Sequence, residues 1–389
     1  MRPRALLRGV AEAAFFVVLG ACDPDPPAPS LPSWRLAERA DVVVGAAGSE
    51  PLFGRVAGAR RLENGRFFVT DRQAREAWLF DSAGALLKRV AWAGRGPGEL
   101  AVPSPPLPIE GDTIAIVDLE LRRIMLFDGD GNHLRTRAYV LQATDGYLAP
   151  VGLVSSAELV GLLLGLERPA TAGDRVTRTA KLVRSRIGSF ETTSIAEGRG
   201  TELAGGAWSE GGEVVVGAYE VPFGRTTLAA VGPERILLGD TDRPRLEVFD
   251  HRGRRTGAFE WTEPADAVTD DDRASWLARE STAVSSGAPG AAEQRASMAA
   301  ALRDLGFART HRVFTGLVVG DDRSVWIEQD RRQWLPSRRF LVLSPEGKAL
   351  ATVEVPRALL VQQADLSSVT GIWREPGSPD EIRSYRLER

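Results

Sequence analysis

The chain has 389 residues, of which 43% are apolar and 26% are charged, so it can bury a core and is not a disordered polymer. Its 49 basic residues are balanced by 52 acidic residues, and the net charge of −3 gives no electrostatic footprint for nucleic acid. Only three of the basic residues are lysines, and the arginines alternate with acids along the chain, which is typical of a solvated surface. We therefore expect a folded protein without a nucleic-acid partner.

The first 21 residues have the order of an export signal. Three arginines within residues 1–8 precede the apolar run 13–19, which is too short to span a bilayer. The run ends at Leu19-Gly20-Ala21-Cys22, which resembles a bacterial lipobox and contains the only cysteine of the chain. The resemblance implies that the chain is cut before Cys22 and that lipid is attached to the Cys22 thiol.

Residues 22–33 are rich in proline and predict an extended tether that holds a domain off the bilayer. We thus expect a signal peptide (1–21), a lipidated tether (22–33) and a folded domain (34–389). The protein would be exported and anchored by its lipid to a bacterial membrane, on the periplasmic or cell-surface side. The alternative is an ordinary secretory signal that leaves a free cysteine. Without a second cysteine the domain has no internal disulfide, so its stability must come from its core.

A short pattern recurs along the chain. Its copies begin at Leu79, Leu126 and Val248, with a looser copy at Val342. In each copy a glycine follows the second residue by four positions, and in the first three copies that second residue is phenylalanine. Asp71, Asp118 and Asp240 each stand nine residues before the phenylalanine and end a short β-rich run. Two spacings that are kept in three copies indicate an internal repeat.

Each copy has the chemistry of antiparallel hairpins. In the first copy we predict strands at residues 55–62, 66–70, 77–80 and 85–92, with Asn64-Gly65 as a two-residue turn. Phe127 follows Phe80 by 47 residues, within the about 40–50 residues of one propeller blade. The repeat therefore predicts a four-stranded blade.

Third strands of such units are predicted at residues 77–80, 124–127, 180–183, 246–249, 340–343 and 382–387. The last unit stops after its third strand, whereas a strand at 41–46 has no unit of its own. A ring closes if this N-terminal strand completes the last unit, because closure leaves no open sheet edge. The sequence thus predicts an all-β, six-bladed β-propeller of four-stranded antiparallel blades, and a β-sandwich or two small barrels is the alternative.

The block 262–311 breaks the repeat. Asp270, Asp271 and Asp272 indicate a helix start, and residues 291–305 have apolar side chains at helical spacing before Gly306. We interpret the block as a two-helix insertion between the fourth and fifth blades. It would either cap one face of the ring or lie on the surface.

The loop Gly94-Arg95-Gly96-Pro97-Gly98-Glu99-Leu100 follows the first unit. With the lipobox and the repeat, it makes the chain similar to the bacterial six-bladed β-propeller lipoproteins, relatives of the NHL-repeat propellers. Residues 56–100 match best, the second and fifth units match moderately, and residues 141–227 and the helical block match poorly. The resemblance implies an envelope propeller with a binding role and no shared catalytic residues.

The same loop lacks the lysine and the serine or threonine of a phosphate-binding P-loop, so we interpret it as a structural loop. Arg95 and Glu99 are its side chains that could reach a ligand. Asp128, Asp130 and Asn132 imitate the start of a calcium loop, but the later ligand positions do not fit, and a hairpin turn is favoured.

The repeated Asp71, Asp118 and Asp240 are the weak metal candidates, since carboxylates near a ring axis could bind a cation. Aspartates that occur once per blade more often join strands by hydrogen bonds, and we favour that interpretation. Propeller lactonases resemble the chain in outline but use asparagines as calcium ligands, and here the only asparagines, Asn64 and Asn132, lie in turns. The three histidines show no metal spacing, no nucleophile motif occurs, and we expect no cofactor.

An arginine-rich segment around a tryptophan is the remaining candidate for binding. Its residues are Arg331, Arg332, Gln333, Trp334, Arg338 and Arg339, in an enlarged loop of the fifth unit. Arginines around an exposed tryptophan are typical of an interaction hot spot. The alternative is a solvated loop whose tryptophan packs on the helical insertion.

These patterns favour a lipid-anchored, non-catalytic binding or scaffolding module in the bacterial envelope. Its partner would be a protein, a peptide or a glycan. The alternative is a metal-dependent hydrolase or lyase with its site in the central channel.

Overall fold

The computed structural model describes residues 31–389 except 47, 49, 110, 140–145, 190, 211–212, 286–299 and 331. Cys22, Arg331 and most of the predicted second helix lie outside the described residues. Within them the chain consists mainly of β-strands, together with helix α1 (Asp270–Ser285) and a helical stretch at residues 300–304.

The strands form consecutive antiparallel meanders. The N-terminal strands are β1 (Ser33–Leu36) and β2 (Val42–Val44). The first sheet contains β3 (Val56–Arg61), β4 (Phe67–Asp71), β5 (Glu76–Phe80), β6 (Leu86–Ala93) and the short β7 (Glu99–Leu100). The second contains β8 (Leu107–Pro108), β9 (Ile114–Asp118), β10 (Arg123–Phe127) and β11 (His133–Ala138).

The third sheet is the largest meander and the fourth returns to the smaller size. The third contains β12 (Gly146–Ser155), β13 (Glu158–Gly165), β14 (Arg175–Arg186), β15 (Thr192–Glu210) and β16 (Glu213–Glu220). The fourth contains β17 (Thr227–Val231), β18 (Ile236–Asp240), β19 (Arg245–Phe249) and β20 (Arg255–Glu260).

The last two meanders share one nine-stranded sheet. They contain β21 (Gly316–Val319), β22 (Val325–Gln329), β23 (Ser337–Leu343) and β24 (Ala349–Pro356), then β25 (Leu359–Ala364), β26 (Ser368–Trp373) and β27 (Glu381–Glu388). Strand β2 pairs with β27, and β1 lies between β24 and β27. The N-terminal strands therefore complete the last meander, as the sequence predicts.

The six predicted third strands all coincide with the third strand of a meander: β5, β10, β14, β19, β23 and β27. The turn glycine of the repeat explains its fixed spacing. Gly84 has φ +88°, and the corresponding Gly131, Gly253 and Gly347 also have positive φ. Only glycine adopts this conformation without a steric penalty, so the turn between the third and fourth strands requires it.

The second strands are mostly buried, and this is why their sequences are rich in apolar residues. All five residues of β4 and of β9 are buried, whereas all six of β11 are exposed. A strand covered on both sides by neighbouring sheets has no solvent face, while a strand at the rim does. The cores accordingly lie between sheets: Phe68 and Phe127, from the first and second sheets, have ring centroids 5.8 Å apart.

The first strands of all six meanders line one central cavity of about 440 Å³. Neighbouring strands of a meander are antiparallel, so its second and fourth strands end on the same side of the ring. The loop between the second and third strands and the connection to the next sheet therefore both leave from that side. We call this side the connecting face. It carries α1 in the β20–β21 connection and residues 330 and 332–336 in the β22–β23 connection.

The helical block packs on the third sheet. Leu302 and Leu305 form a buried cluster with Ala204 of β15 and Val221, which follows β16. Trp276 and Leu277 of α1 pack against the same cluster. The long β15 and β16 thus support the helices over the connecting face.

Candidate functional site

The repeated aspartates use their carboxylates to bind backbone amides. Asp71 is buried and accepts hydrogen bonds from the amides of Gly54, Arg55, Gln73 and Ala74 at 2.8–3.3 Å. Asp118 is buried and accepts from the amides of Ala101, Val102 and Leu121 at 3.0–3.2 Å. Asp240 accepts from the Arg199 amide at 2.8 Å and from the Thr227 hydroxyl at 2.6 Å. These contacts support the interpretation that the aspartates join one strand or connection to the next.

Two further aspartates that the repeat did not reveal have similar structural roles. Asp380 accepts from the Val56 amide at 2.8 Å and from Arg374, and thereby joins the last meander to the first. Asp330, after β22, receives two hydrogen bonds from Arg357 at 2.7 and 2.8 Å. The loops between β22 and β23 and between β26 and β27 are both longer than the corresponding loops of the first, second and fourth sheets, and this takes the two residues out of the regular spacing. Among the described residues, no group of three His, Cys, Asp or Glu side chains is arranged to hold a metal ion.

The loop after β6 holds the side chain of its own Glu99 by a hydrogen bond. The Glu99 carboxylate accepts a hydrogen bond from the Gly96 amide at 2.6 Å, and this bond lowers the pKa of Glu99. A Cβ atom on Gly94 would overlap the same carboxylate, so a larger residue there would displace Glu99 from this position. Arg95 is exposed and pairs with Glu120 at 2.7 Å. Glu99 is therefore turned into the loop, while Arg95 stays at the surface.

The arginine-rich segment differs from the predicted open loop. Arg332 donates two hydrogen bonds to Asp266 at 2.9 and 3.1 Å and one to Asp272 at 2.9 Å. Arg338 is not in the loop: it lies on β23, has a side chain only 11% exposed, and binds Glu328 at 2.8 Å. Both guanidinium groups thus pair with neighbouring carboxylates within the chain, and their role in binding a partner stays a prediction.

Trp334 lies instead in a pocket on the connecting face. This pocket, of about 300 Å³, is bounded by the segment after β16, by α1 and by the β22–β23 loop. We call it the cap pocket and define it by Phe223, Trp276, His311, Arg312, Asp330 and Trp334. The ring contact of Trp334 is with Phe223, and Trp276 of the helical insertion lines the same pocket.

Aromatic rings form one side of the cap pocket. Phe223, Trp276 and Trp334 are all half-buried. Phe223 meets His311 edge-on with centroids 4.6 Å apart and Trp334 at 6.3 Å. Its φ of +62° is unusual for a bulky residue, and such strain is often found at ligand sites.

The charged residues around the pocket are paired. Arg312 binds Glu220 at 3.0 Å, and Arg279 binds Glu280 at 2.7 Å. The Asp330 carboxylate is neutralised by Arg357, as described above. The pocket therefore combines an apolar wall with polar groups whose charges cancel.

A buried network under the pocket connects the helix to the loop. Asp272 accepts hydrogen bonds from His311 Nε2 at 3.0 Å, from Arg332, and from the amide and hydroxyl of Thr269. Burial alone would raise the pKa of Asp272, but these hydrogen bonds outweigh it and hold the pKa well below its usual range. The His311 side chain is fully buried. The network fixes the position of the residues that carry the aromatic wall.

Sequence reasoning found Trp334 but missed the other defining residues. Phe223, Trp276 and His311 come from three separate segments, and none stands in a recognisable motif. The nearest signal was the break in the repeat at 262–311, which marked where additional structure covers the ring.

Comparisons with known proteins agree with this architecture. A family model described as a 6-bladed beta-propeller, DUF5128, matches residues 50–148. A DUF4221-family structure from Bacteroides vulgatus is 9% identical, with a TM-score of 0.51 over 91% of this chain and 98% of the other. A structure from Bacteroides fragilis is 10% identical, with a TM-score of 0.45 over 92% of this chain and 98% of the other.

The calcium-binding protein regucalcin from Agrobacterium tumefaciens is 13% identical, with a TM-score of 0.39 over 92% of this chain and 96% of the other. No curated protein matches the chain. In the part of the chain that the structure describes, no helix is long and apolar enough to cross a membrane. The sheets, the central cavity and the family match together show that the chain is an all-β protein with a β-propeller fold.

Proposed function

We propose that the protein is a lipid-anchored, six-bladed β-propeller of the bacterial envelope that binds a small ligand in the cap pocket without catalysis. Each meander would be one blade, with β2 as the fourth strand of the sixth. The observation that carries the binding role is the cap pocket itself. A concave, partly aromatic pocket with a few oriented polar groups is the usual form of a small-molecule site.

The polar groups of the pocket favour binding over chemistry. The carboxylates of Glu220, Glu280 and Asp330 are paired with arginines, and His311 is held by Asp272. The Thr315 hydroxyl already hydrogen-bonds the backbone carbonyl of Glu328 and the amide of Asp330. In the described part of the pocket, no nucleophile is therefore placed beside an available base.

A ligand screen tests the binding role. The melting temperature of the full-length protein would be measured against a library of metabolites, glycans and peptides. A ligand at about 100 times its Kd stabilises the folded state by about 2.7 kcal/mol. We expect Trp334→Ala to remove the shift and Trp92→Ala, a change to an exposed tryptophan of β6, to leave it intact. Ligands that stabilise both variants equally, or that are chemically converted, would contradict the proposal.

The anchor rests on the lipobox and is tested separately. We expect the full-length protein to incorporate a radiolabelled fatty acid and to sediment with membranes. Cys22→Ser should abolish the label and release the protein into the aqueous fraction, because the thiol is the acceptor of the lipid. Equal labelling of both proteins would contradict lipidation at Cys22.

The alternative, a metal-dependent hydrolase or lyase, requires carboxylates directed into the central cavity. Asp71 and Asp118 use theirs on backbone amides. The cavity lining does include Glu63, Asp112 and Asp321, but Asp112 accepts a hydrogen bond from the Glu63 amide at 2.7 Å, and Asp321 pairs with Arg60 and Gln363. A chelator should therefore leave the melting temperature unchanged. A stabilising stoichiometric metal would instead favour the hydrolase.

A further inference from the structure

We propose that the cap pocket recognises an uncharged sugar ring, such as the terminal hexose of a glycan. This inference rests on the proposed function, because it names the ligand class of the same pocket. The arrangement of charges and aromatic rings carries it.

The charge pattern disfavours an ionic ligand. Arg312, Arg279 and Arg357 each pair with a carboxylate at 2.7–3.0 Å, so a phosphate or carboxylate ligand would have to displace a partner already in place. An organic cation would need net negative charge beside the aromatic rings. The carboxylates of the pocket are already neutralised by the same arginines, so this net charge is missing. A neutral ligand can bind without breaking any of these contacts.

The aromatic wall fits the apolar side of such a ligand. One face of a pyranose ring presents C–H groups, which pack against indole or phenyl rings and lose little hydration. Trp276 of α1 and Trp334 of the β22–β23 loop supply half-buried indoles, and Phe223 lies beside Trp334. Rigid rings contribute contact area at low entropic cost.

Polar groups at the edge of the pocket fit the hydroxyl groups of the sugar. Asp330 receives two hydrogen bonds from Arg357 and Glu220 receives one from Arg312, so both carboxylates keep lone pairs that can accept from hydroxyls. Arginine N–H groups can donate, and Gln333 provides an exposed amide whose side chain makes no hydrogen bond to other described residues. A hydroxyl both donates and accepts, so this mixed set satisfies it, whereas a purely apolar ligand would use none of these donors and acceptors.

Binding is tested by titration calorimetry and ligand-detected NMR on the full-length protein. The probes are the methyl glycosides of glucose, galactose, mannose and N-acetylglucosamine, with tetramethylammonium chloride and inorganic phosphate as charged comparators. We expect at least one glycoside to bind with a Kd of about 1 mM and neither ion to bind in the pocket. Trp334→Ala and Trp276→Ala should weaken the sugar at least about tenfold, because each removes a stacking surface.

Matched variants separate recognition from folding. Gln333→Ala changes an exposed side chain and should weaken the sugar without lowering the melting temperature, and Trp334→Phe should retain part of the affinity. Leu335→Ala, an exposed neighbour in the same loop, should bind like the wild type.

The outcomes distinguish a failure of the sugar assignment from a failure of the proposed binding role of the cap pocket. The absence of glycoside binding at about 100 mM, where a millimolar Kd would saturate the protein, overturns the sugar class. So does sugar binding that none of the pocket variants affects. If an ion or a library ligand binds and Trp334→Ala removes it, the sugar assignment fails but the proposed function stands. If no ligand depends on the pocket, both fail.

Discussion

At the residue scale, the environment decides what an aspartate does. Asp71 and Asp81 are ten residues apart in the same sheet, and both accept hydrogen bonds from backbone amides. Asp71 is 1% exposed and joins the start of β3 to the turn after β4, whereas Asp81 lies at the surface in a hairpin turn. Both aspartates lie within one unit of the repeat, but only burial indicates that the fold depends on Asp71 and not on Asp81.

We therefore expect Asp71→Ala to lower the free energy of unfolding by about 2–4 kcal/mol, because it leaves several amides without an acceptor. Asp81→Ala should cost about 1 kcal/mol or less, since water can reach its amides. Urea denaturation of the two variants beside the wild type measures the difference. Equal losses would contradict the structural role of Asp71.

At the element scale, the helical block is held by charge as well as by apolar packing. Leu302 and Leu305 supply the apolar contact with the third sheet. Asp272, in the first turn of α1, connects the helix to His311 and to Arg332 of the β22–β23 loop. The helix can thus keep the aromatic wall in place although Asp272 is the one buried residue within 270–280, the part of the helix whose burial is described.

This network predicts a pH dependence. The pKa of Asp272 is lowered on folding, so its carboxylate stabilises the folded state above the unfolded value near 3.8 and this contribution is lost as the pH falls below it. At pH 7 Asp272→Asn should cost about 2 kcal/mol, and the difference from wild type should shrink below about pH 4.

Thermal melts between about pH 3 and pH 7 measure this effect. Asp270→Asn is the control, because Asp270 is in the same helical turn with a side chain 94% exposed, and it should change little. A difference for Asp272→Asn that is independent of pH would contradict the account.

At the scale of the whole molecule, the ring depends on contacts between distant parts of the chain. Strand β2 pairs with β27, in the register Val42 to Ser384 and Val44 to Ile382. Val44 is fully buried in a cluster that contains residues of the first and last meanders, whereas Val43 on the other side of the strand is 37% exposed. Closure thus joins the two ends of the domain through one short strand.

Val44→Asp should destabilise the entire domain by about 3 kcal/mol or more, because it buries a charge without a partner. Val43→Asp should be tolerated, since its side chain reaches solvent. Denaturation monitored by tryptophan fluorescence and by circular dichroism tests whether the loss of stability extends over the whole domain. Equal stability of the two variants would show that the strand does not close the ring.

The regular part of the fold could be predicted from the sequence because its signals are local. Apolar runs indicate the second strands, the turn glycines need positive φ, and Asp71, Asp118 and Asp240 recur at a fixed spacing from the strands they join. The unpaired strand near the N-terminus indicated closure. The third sheet was harder to delimit, because β14 and β15 are much longer than the strands of the other sheets and obscure the repeat length.

By itself the sequence determined the strand pattern, the turns and the closure of the ring, since each depends on residues close together in the chain or on one strand without a neighbour. Only the tertiary structure decided which arginines are available and where the pocket lies. In a chain with 49 basic and 52 acidic residues, composition cannot show that Arg332 binds Asp266 and Asp272. Likewise Phe223, Trp276 and Trp334 line one pocket because three separate segments fold over the same face, and no short-range pattern encodes that arrangement.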